Sequence, residues 1–338
     1  MKTMVLMRHA KSSYSGDLSD FDRSLNERGN RSATALGKWL KANSFFPDLA
    51  LVSAATRTVQ TFQELKNLLP KRQRNSHKGD FGRVLICAGS CGMGGAGILA
   101  SEASLFCGSG LVSLATDISN VKASLARNPE VMTTGIDMNN EIDFEINIKN
   151  QDVILYGPGI SRNLTTEAIL IKILSGSEKS KLIFDAGALH IMSSMAPLKN
   201  KIGQSILLTP HPGEASVLLN RPIEEIQKNR SLAARNISEM YGASIVILKG
   251  METLIYSAKE DDSYISMGGG PELSSGGTGD ILAGLLSALL AQGLADKDAS
   301  LLAVGAHAEA GKIFSEEIGE IGLNASSLIP IIRKLLNQ

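Results

Sequence analysis

The sequence predicts an α/β fold in which a mostly parallel sheet is flanked by helices. From residue 84 onward, short continuous apolar runs alternate with longer stretches of helical periodicity. Strands that are covered on both faces need no polar alternation, so these runs indicate a sheet sandwiched between helices. Turns rich in glycine or proline follow several runs, as expected at the carboxyl ends of parallel strands. The predicted strands are 84–88, 111–115, 153–156, 182–184, 206–208, 245–248 and 253–256.

Composition narrows the functional classes. The chain has 338 residues, with 34 basic and 34 acidic side chains and hence no formal net charge. This balance gives no global attraction for nucleic acid or an anionic membrane. The apolar start is too short for a signal peptide and no segment is long enough to span a bilayer, so we expect a cytoplasmic protein. Cys87, Cys91 and Cys107 are expected to be buried thiols in a reducing compartment.

The chain changes character near residue 70. The polar and basic stretch 70–78 begins with a proline, which is typical of a linker. Before it, apolar runs at 4–7 and 50–53 predict strands, and helical spacing predicts a helix over 27–43. A chain of this length holds two domains, or one large domain with an appendage. We therefore expect one unit over 1–69 and a second over 70–338.

A glycine-rich segment runs from Gly268 to Asp280, directly before an apolar helical stretch. Small residues let the backbone curl tightly and present bare N–H groups, and the following helix directs its positive end to the same place. The N–H groups of Gly277, Thr278 and Gly279 are thus predicted to hold phosphate oxygens. A carboxylate beside a phosphate is repelled by it, so Asp280 is predicted to take a proton from an attacking hydroxyl. The alternative is a glycine-rich turn in which Asp280 only caps the helix.

Other turns at predicted strand ends carry polar or small residues. The stretch 89–97 is rich in glycine but lacks a Walker lysine and Gly-x-Gly-x-x-Gly spacing, so it predicts neither a P-loop nor a Rossmann site. His211 lies between two prolines that fix its backbone, and Lys249 follows the strand 245–248. Tight packing, a structural histidine and a surface lysine are the alternatives to ligand contact at these positions.

Together these segments resemble the ribokinase-like superfamily, whose anion hole and catalytic base occur as Gly-Thr-Gly-Asp or a close relative. The longer match Ser275-Gly276-Gly277-Thr278-Gly279-Asp280 is similar to the ADP/ATP-dependent NAD(P)H-hydrate dehydratases. The resemblance covers about residue 70 to the C-terminus. Further motifs agree in order: Ser76-His77-Lys78-Gly79-Asp80-Phe81-Gly82-Arg83, Gly94-Gly95-Ala96-Gly97, Gly157-Pro158-Gly159, Thr209-Pro210-His211-Pro212-Gly213-Glu214 and Leu248-Lys249-Gly250-Met251-Glu252-Thr253.

The resemblance implies roles for individual residues. Besides Asp280 and the anion hole, it implies contacts to the hydrated nicotinamide dinucleotide from Ala96, Gly159, His211 and Asp280. It implies contacts to the adenine nucleotide from Lys249, Gly250, Met251, Glu252, Thr253 and Gly279. Mg²⁺ is expected to bridge the nucleotide oxygens, with no metal-binding residue assigned. The family usually shows a second Asp where this chain has Gly187, two positions after Asp185.

The activity that the resemblance implies is a dehydration that repairs NADH and NADPH. A phosphoryl group from ADP, which bacterial members favour over ATP, would be transferred to the hydroxyl of the S epimer and then eliminated. The partners are the hydrated dinucleotide and the adenine nucleotide, and such dehydratases often form homo-oligomers, commonly tetramers. The alternative from the same fold is a small-molecule kinase that releases a stable phosphorylated product.

The first 69 residues resemble a different family. The stretch Leu6-Met7-Arg8-His9-Ala10-Lys11-Ser12 is similar to the opening of the histidine phosphatases, near the phosphohistidine phosphatase branch, and 53–61 matches a further landmark. The resemblance implies His9 as the nucleophile, with Arg8 and Arg57 holding the phosphate. The second catalytic histidine and the closing strands have no counterpart, so we expect a truncated segment without phosphatase activity. A working phosphatase–dehydratase fusion is the alternative.

Overall fold

The computed structural model describes residues 72–138, 146–177, 179–195 and 205–337. Strand order in its nine-stranded sheet is β3-β2-β1-β4-β5-β6-β7-β8-β9. Pairing is parallel from β3 through β7, and β8 and β9 are added antiparallel. The strands are β1 Arg83–Cys87, β2 Leu111–Asp117, β3 Met132–Ile136, β4 Val153–Tyr156, β5 Lys181–Phe184, β6 Ile206–Leu208, β7 Ile245–Leu248, β8 Thr253–Ser257 and β9 Asp262–Ser266.

All seven strands predicted from residue 84 onward are present, with bounds within two residues of those expected. The sequence did not reveal β3 and β9, which form the two edges of the sheet. The β3 sequence Met-Thr-Thr-Gly-Ile is largely exposed, and β9 is mostly half-buried. An edge strand has one neighbour instead of two, so it needs no continuous apolar run and escapes a search for one.

Helices cover both faces of the sheet. They are α1 Gly94–Phe106, α2 Val121–Arg127, α3 Leu164–Gly176, α4 Gly187–Ser193, α5 Pro212–Leu219, α6 Ile223–Lys228, α7 Arg230–Tyr241, α8 Thr278–Ala291, α9 Asp296–Glu317 and α10 Leu328–Asn337. Alternate residues along β4 serve opposite cores: Val153 and Leu155 pack with α1 and α8, whereas Ile154 and Tyr156 pack with α3 and α7. This two-sided burial is the reason for the unbroken apolar runs.

Helix α8 is the central helix of one face. Nearly all of its residues are buried, as expected for a helix that is apolar around its whole circumference. It lies so close to α1 that a Cβ at Gly284 would stand 2.2 Å from the carbonyl oxygen of Ala100. The core therefore fixes where the first turn of α8 stands, at the carboxyl edge of the parallel strands.

Two sequence expectations concern features away from the sheet. Cys87 and Cys107 are buried as expected, but Cys91 is exposed, so that expectation was wrong for one of the three. Cys91 lies in the glycine turn after β1, where small residues leave a short side chain uncovered. Within the described ranges, no helix is both long and apolar enough to cross a membrane. The segments predicted before residue 72, with Arg8, His9 and Arg57, lie outside the described residues.

Candidate active site

The first turn of α8 has the geometry of an anion hole. Gly277 is the residue that precedes the helix and adopts φ +93°, and no side chain caps the N–H groups of the first turn. These N–H groups and the positive end of the 14-residue helix are therefore directed at one place. Asp280 lies within the first turn and is not the capping residue, so the alternative of a simple capping aspartate is wrong.

Hydrogen bonds fix the glycine segment before α8. The Thr278 hydroxyl donates to the carbonyl oxygens of Leu273 at 2.9 Å and Ser275 at 3.0 Å. The buried carboxylate of Glu272 accepts from the N–H of Gly270 at 2.8 Å. These bonds replace the rigidity that glycine lacks. The segment is thus held in one conformation although half of it is glycine.

Packing fixes Gly277 itself. A Cβ at this position would stand 2.7 Å from Leu99 Cδ1 of α1 and 3.0 Å from the Cβ of Ala325. Its φ is also one that side-chain-bearing residues rarely adopt. Glycine is therefore required at 277 on two independent grounds, whereas a Cβ at neighbouring Gly276 would meet nothing within 4 Å.

His307 supports the same turn from within the core. Its Nε2 lies 2.9 Å from the carbonyl oxygen of Thr278 and donates to it. Burial lowers the pKa of His307 to about 4, with its hydrogen bond to Thr278 opposing that fall. The imidazole is therefore neutral near pH 7 and acts as a fixed donor from α9. Its position on a helix rich in alanine gave the sequence no signal for this contact.

Asp280 is a half-buried carboxyl group with a shifted pKa. The pKa of Asp280 is raised to about 7, because burial and the negative charge of Asp185 raise it more than the ammonium of Lys249 lowers it. A carboxyl group with a pKa near the operating pH is suited to exchange protons during catalysis. The shift comes from the tertiary structure, because Asp185 lies 95 positions away in the sequence.

Lys249, Asp185, Glu214 and Asp280 form what we call the charge cluster. The Lys249 Nζ lies 2.7 Å from Asp185 Oδ1 and 3.8 Å from Glu214 Oε2. A Cβ at Gly279 would stand 3.6 Å from the same nitrogen, so the ammonium also faces the start of α8. Burial lowers the pKa of Lys249, but Asp185 and Glu214 more than offset this and keep it raised. One largely covered cation, with 19% of its side chain exposed, thus stands among three carboxyl groups.

The carboxylates of the charge cluster have further partners. Asp185 Oδ1 also accepts from the Thr209 hydroxyl at 2.7 Å. Burial raises the pKa of Glu214, and the positive charge of Lys249 opposes that rise. Asp185 follows β5, Glu214 lies in α5, and Lys249 follows β7. The cluster therefore exists only because parallel strands bring their carboxyl ends to one edge of the sheet.

His211 is held at that edge by its own helix cap. It precedes α5, and its Nδ1 accepts from the N–H groups of Gly213 at 2.9 Å and Glu214 at 3.3 Å. The Glu214 carboxylate accepts in turn from the His211 N–H at 2.7 Å. Because Nδ1 is an acceptor, the proton of the neutral ring is on Nε2, which is 3.4 Å from Glu214 Oε1. The ring is half-exposed and can donate to a ligand.

Ala96 and Gly159, which are distant in sequence, are neighbours in the structure. Gly159 adopts φ +63°, and a Cβ there would stand 2.9 Å from the Ala96 Cβ and 2.7 Å from the Met93 carbonyl oxygen. The N–H of Ser90 donates to the Gly159 carbonyl at 2.8 Å, which ties the glycine turn after β1 to that after β4. These two turns form a wall of bare backbone and small side chains.

The hairpin 249–252 between β7 and β8 is more open. Met251 has 78% of its surface exposed, Gly250 and Glu252 are also exposed, and Thr253 is half-buried. The Lys249 ammonium does not extend from the hairpin into solvent but turns back to Asp185. A phosphate contact from Lys249 therefore stays a prediction, and the structure adds a partner that the sequence did not indicate.

Gly187, where the family usually has a second Asp, has no room for a side chain in this fold. A Cβ there would stand 2.0 Å from the carbonyl oxygen of Ile160. The preceding Ala186 has φ +47°, which is uncommon for a residue with a side chain. The departure from the family pattern is thus accompanied by close backbone packing, which leaves Asp185 as the carboxylate of this turn.

The residues of this edge do not form a metal cage. Across the described ranges, no three His, Cys, Asp or Glu side chains gather as a metal site. Asp185 is also engaged by Lys249 and Thr209. Mg²⁺ commonly keeps several waters and binds through substrate phosphates with one or two carboxylates. These residues fit a cation that arrives with a nucleotide, and none of them is assigned to it.

Two grooves lie elsewhere on the surface and contain none of the predicted site residues. Cavities of about 620 and 520 Å³ run beside α10 and share Phe106 and Arg333. The chemistry-bearing side chains instead surround the first turn of α8. That place, and not the surface grooves, is the candidate active site.

Comparison with known proteins agrees with the family resemblance of both the N-terminal segment and the longer remainder of the chain. A family model described as NAD(P)H-hydrate dehydratase matches residues 84–334. A second model, described as histidine phosphatase superfamily (branch 1), matches residues 4–76. Both resemblances seen in the sequence are thereby confirmed. The Arg8–His9 motif lies in the second match.

Relatives of known activity cover most of the chain. The bifunctional NAD(P)H-hydrate repair enzyme Nnr of Vibrio cholerae is 38% identical over 271 residues, which are 80% of this chain and 53% of that protein. The ADP-dependent (S)-NAD(P)H-hydrate dehydratase of Neisseria meningitidis is 32% identical over 300 residues, 87% of this chain and 98% of that protein. The chain spans about half the length of the bifunctional relative.

Solved structures confirm the ribokinase-like fold. The ADP/ATP-dependent NAD(P)H-hydrate dehydratase from Bacillus subtilis, co-crystallised with ATP/Mg²⁺, has a TM-score of 0.74 and 27% identity, and covers 82% of this chain and 96% of its own. A ribokinase-like superfamily protein from Enterococcus faecalis has a TM-score of 0.72 and 26% identity, with 86% of this chain and 96% of its own covered.

Proposed function

We propose that this chain, which belongs to the NAD(P)H-hydrate dehydratase family, removes water from the S epimer of hydrated NADH or NADPH. An adenine nucleotide is consumed in the reaction, and ADP is the favoured form. The observation that carries the proposal is the half-buried Asp280, with a pKa of about 7, in the uncapped first turn of α8. A base and an anion hole within one helical turn suit phosphoryl transfer to a hydroxyl.

The first step is phosphorylation of the substrate hydroxyl. The Asp280 carboxylate takes the hydroxyl proton as the oxygen forms a bond to the terminal phosphorus. The bond from that phosphorus to its bridging oxygen breaks, which leaves AMP from ADP or ADP from ATP. A positioned general base contributes about 10²–10⁴-fold to such a rate. Mg²⁺ bound with the nucleotide supplies positive charge to the phosphate oxygens.

The N–H groups of Gly277, Thr278 and Gly279 act on the transferring phosphoryl group. They are fixed before the reaction, because packing and hydrogen bonds already hold the glycine segment. Preorganised donors of this kind contribute about 3–4 kcal/mol each to the transition state. Within the charge cluster, the ammonium of Lys249 lowers the pKa of Asp280 and so favours its ionised form.

The second step is elimination. The C–O bond to the phosphate breaks with help from the ring nitrogen lone pair, and the neighbouring ring carbon gives up a proton to water or to the departing phosphate. Phosphate departs with the original hydroxyl oxygen and the ring double bond is restored. Ala96 and Gly159 are proposed to accept the flat ring and its sugar against bare backbone, with His211 donating from Nε2. The hairpin residues Lys249, Gly250, Met251, Glu252 and Thr253 are proposed to border the nucleotide.

The test follows reduced-nicotinamide absorbance after the full chain is mixed with hydrated NADH, Mg²⁺ and either ADP or ATP. Recovery that requires nucleotide and is lost in Asp280→Asn supports the dehydratase and ranks the two nucleotides. A folded wild type that restores no absorbance with either nucleotide contradicts the proposal. Accumulation of a phosphorylated dinucleotide without recovery favours the small-molecule kinase instead.

The N-terminal segment is proposed to be a phosphate pocket without phosphatase activity, built from Arg8, His9 and Arg57. We also propose that the boundary between the two units lies near residue 70. The protein is further proposed to be cytoplasmic and to assemble as a homo-oligomer, commonly a tetramer. Release of phosphate from a phosphohistidine peptide that disappears in His9→Ala, with the dehydration rate intact, contradicts the inactive assignment. Absence of release from both proteins supports it.

A further inference from the structure

Arg230 is placed where its charge is locally unfavourable. It is the first residue of α7, where the helix N-terminus carries partial positive charge that repels a cation. The preceding Asn229 caps the helix by accepting from the N–H of Leu232 at 3.1 Å. The helix therefore gains nothing electrostatically from an arginine at this position. Its guanidinium is directed instead at the hairpin between β7 and β8.

The guanidinium binds the hairpin through main-chain carbonyls. Arg230 Nη2 donates to the carbonyl oxygens of Leu248 at 2.8 Å and Glu252 at 3.0 Å, with a longer contact to that of Lys249 at 3.4 Å. Arg230 Nη1 donates to the side-chain oxygen of Gln227 at 2.8 Å. Since Leu248 ends β7 and Glu252 immediately precedes β8, one planar cation joins the two sides of the turn.

Gly250 makes this approach sterically feasible. Its φ is +153°, and a Cβ there would stand 2.9 Å from Nη1 and 3.2 Å from Nη2 of Arg230. Any side chain at 250 would therefore press on the guanidinium. The glycine of the hairpin and the arginine of α7 are matched to one another, although 20 positions separate them.

A second attachment holds the hairpin from the opposite direction. The Lys249 N–H donates to the carbonyl oxygen of Pro210 at 2.8 Å, in the loop that carries His211. Within a planar peptide unit, C=O and N–H point in opposite directions. With the Lys249 carbonyl turned to Arg230, the Gly250 N–H is directed away from the guanidinium. The hairpin thus has a defined inner face of carbonyls and an outer face that includes this N–H.

We propose that Arg230 is a positioning residue for the adenine nucleotide, acting through the backbone of the hairpin 249–252 without touching the nucleotide. This rests on the proposed function, which assigns the hairpin to nucleotide binding. Arg230 draws the carbonyls inward, so that the Gly250 N–H and not these carbonyl oxygens faces the phosphates. Without it, the exposed hairpin would sample conformations that present acceptors to an anion.

The test compares Arg230→Met and Arg230→Lys with a control, Arg235→Met, in the full chain. Arg235 lies on the same helix but pairs with the carboxylates of Glu239 and Asp261 and not with the hairpin. ADP binding in the presence of Mg²⁺ is measured by calorimetry, and KM values are measured separately for ADP and hydrated NADH. We expect Arg230→Met to weaken ADP binding by about tenfold or more.

Separate KM values for ADP and hydrated NADH distinguish a positioning role of Arg230 from a general effect on stability. In Arg230→Met, KM for hydrated NADH and kcat at saturating ADP are expected to stay within about twofold of wild type. Arg230→Lys is expected to recover only part of the affinity, because an ammonium cannot form the planar set of contacts. Arg235→Met is expected to bind ADP as wild type does.

Gly250→Ala tests the contact between Gly250 and Arg230 through a change in the hairpin. It remains informative if Arg230→Met does not fold. The added methyl group collides with the guanidinium, so ADP binding should weaken. The effects of Gly250→Ala and Arg230→Lys should be clearly less than additive, because both disturb one contact. Independent, additive effects contradict the proposed coupling.

The outcomes distinguish this proposal from the proposed function. A wild type that binds no ADP contradicts both. A wild type that binds ADP beside a folded Arg230→Met with unchanged ADP affinity overturns the role of Arg230 alone. A variant that loses affinity for ADP and for hydrated NADH together, in step with a lower unfolding temperature, assigns Arg230 to the general scaffold and also overturns it.

Discussion

The start of α8 and the hairpin 249–252 are both proposed to face the nucleotide, but the protein supports them differently. The start of α8 is continuous with a buried helix, and Leu99, Ala325 and His307 pack against or bond its first residues. The hairpin is exposed and is held by a few hydrogen bonds from Arg230 and to Pro210. The rigid part carries the proposed base and anion hole, as preorganised electrostatics require. The open part is suited to exchange a nucleotide that must leave after each reaction.

The largest expected effect is on Asp280. Asp280→Asn should lower kcat by about 10²–10⁴-fold, because the amide cannot accept the hydroxyl proton. Asp298→Asn is the matched control, since Asp298 occupies the same third position of its own helix, α9. Steady-state dehydration rates measure both. Equal rates for wild type and Asp280→Asn would show that Asp280 is not the base. They would also contradict the proposal that the rigid start of α8 carries the catalytic group.

Asp280→Asn should lower activity but raise the stability of the folded protein above neutral pH. The folded-state pKa of Asp280 is about 7, well above the usual value near 3.8, so the native protein binds a proton more readily than the unfolded chain. Stability from this group is therefore present at low pH and is lost as pH rises through 7. Thermal unfolding of Asp280→Asn should occur at a higher temperature than that of wild type at pH 8, with the difference shrinking toward pH 5. A constant difference across this range would contradict the shifted pKa.

The next effect concerns the charge cluster that links the two regions. Lys249→Met leaves Asp185 and Glu214 without their cation, which should destabilise the protein by roughly 3–5 kcal/mol. Denaturant unfolding measures this, with Lys249→Arg as the variant that keeps the charge. If Lys249→Met is as stable as wild type, the ammonium does not hold the cluster together.

The pH dependence of kcat/KM follows from the same groups. Asp280 must be ionised to act as a base, so kcat/KM should fall about tenfold per pH unit below pH 7. Lys249 lowers the pKa of Asp280, so its removal should move this acidic limb to higher pH. Wild type and Lys249→Arg, measured over the same buffers, should have the limb at similar pH. A limb near pH 4 in wild type would contradict the raised pKa of Asp280.

The smallest of these effects tests the packing of the anion hole. Gly277→Ala should destabilise the protein by about 1–3 kcal/mol through its positive φ and its contact with Leu99. It should also lower kcat, since the N–H groups shift. Gly276→Ala meets no atoms within 4 Å and should change unfolding temperature and rate little. Similar effects of the two substitutions would mean that the segment is not held as rigidly as the contrast with the hairpin requires.

Several elements of the fold could be predicted because they depend on the types of neighbouring residues. The apolar runs of β1, β4 and β7 indicate burial on both faces of the sheet. The glycine content of the segment before α8 indicates a tightly curled backbone. The edge strands β3 and β9 could not be found in this way, since half-exposed strands carry no such run. Arg230 was missed because its contacts are to backbone atoms, which have no residue-type signature.

By itself the sequence determined the seven strands of the core, the candidate anion hole at the start of α8 and the choice of Asp280 as a candidate base. These follow from periodicity, glycine content and helix polarity, which are properties of neighbouring residues. Only the tertiary structure decided that Ala96 meets Gly159, that Lys249 turns inward to Asp185, and that the pKa of Asp280 rises to about 7. Burial and electrostatics depend on which distant residues are brought together, and the parallel sheet does this when it gathers its strand ends at one edge.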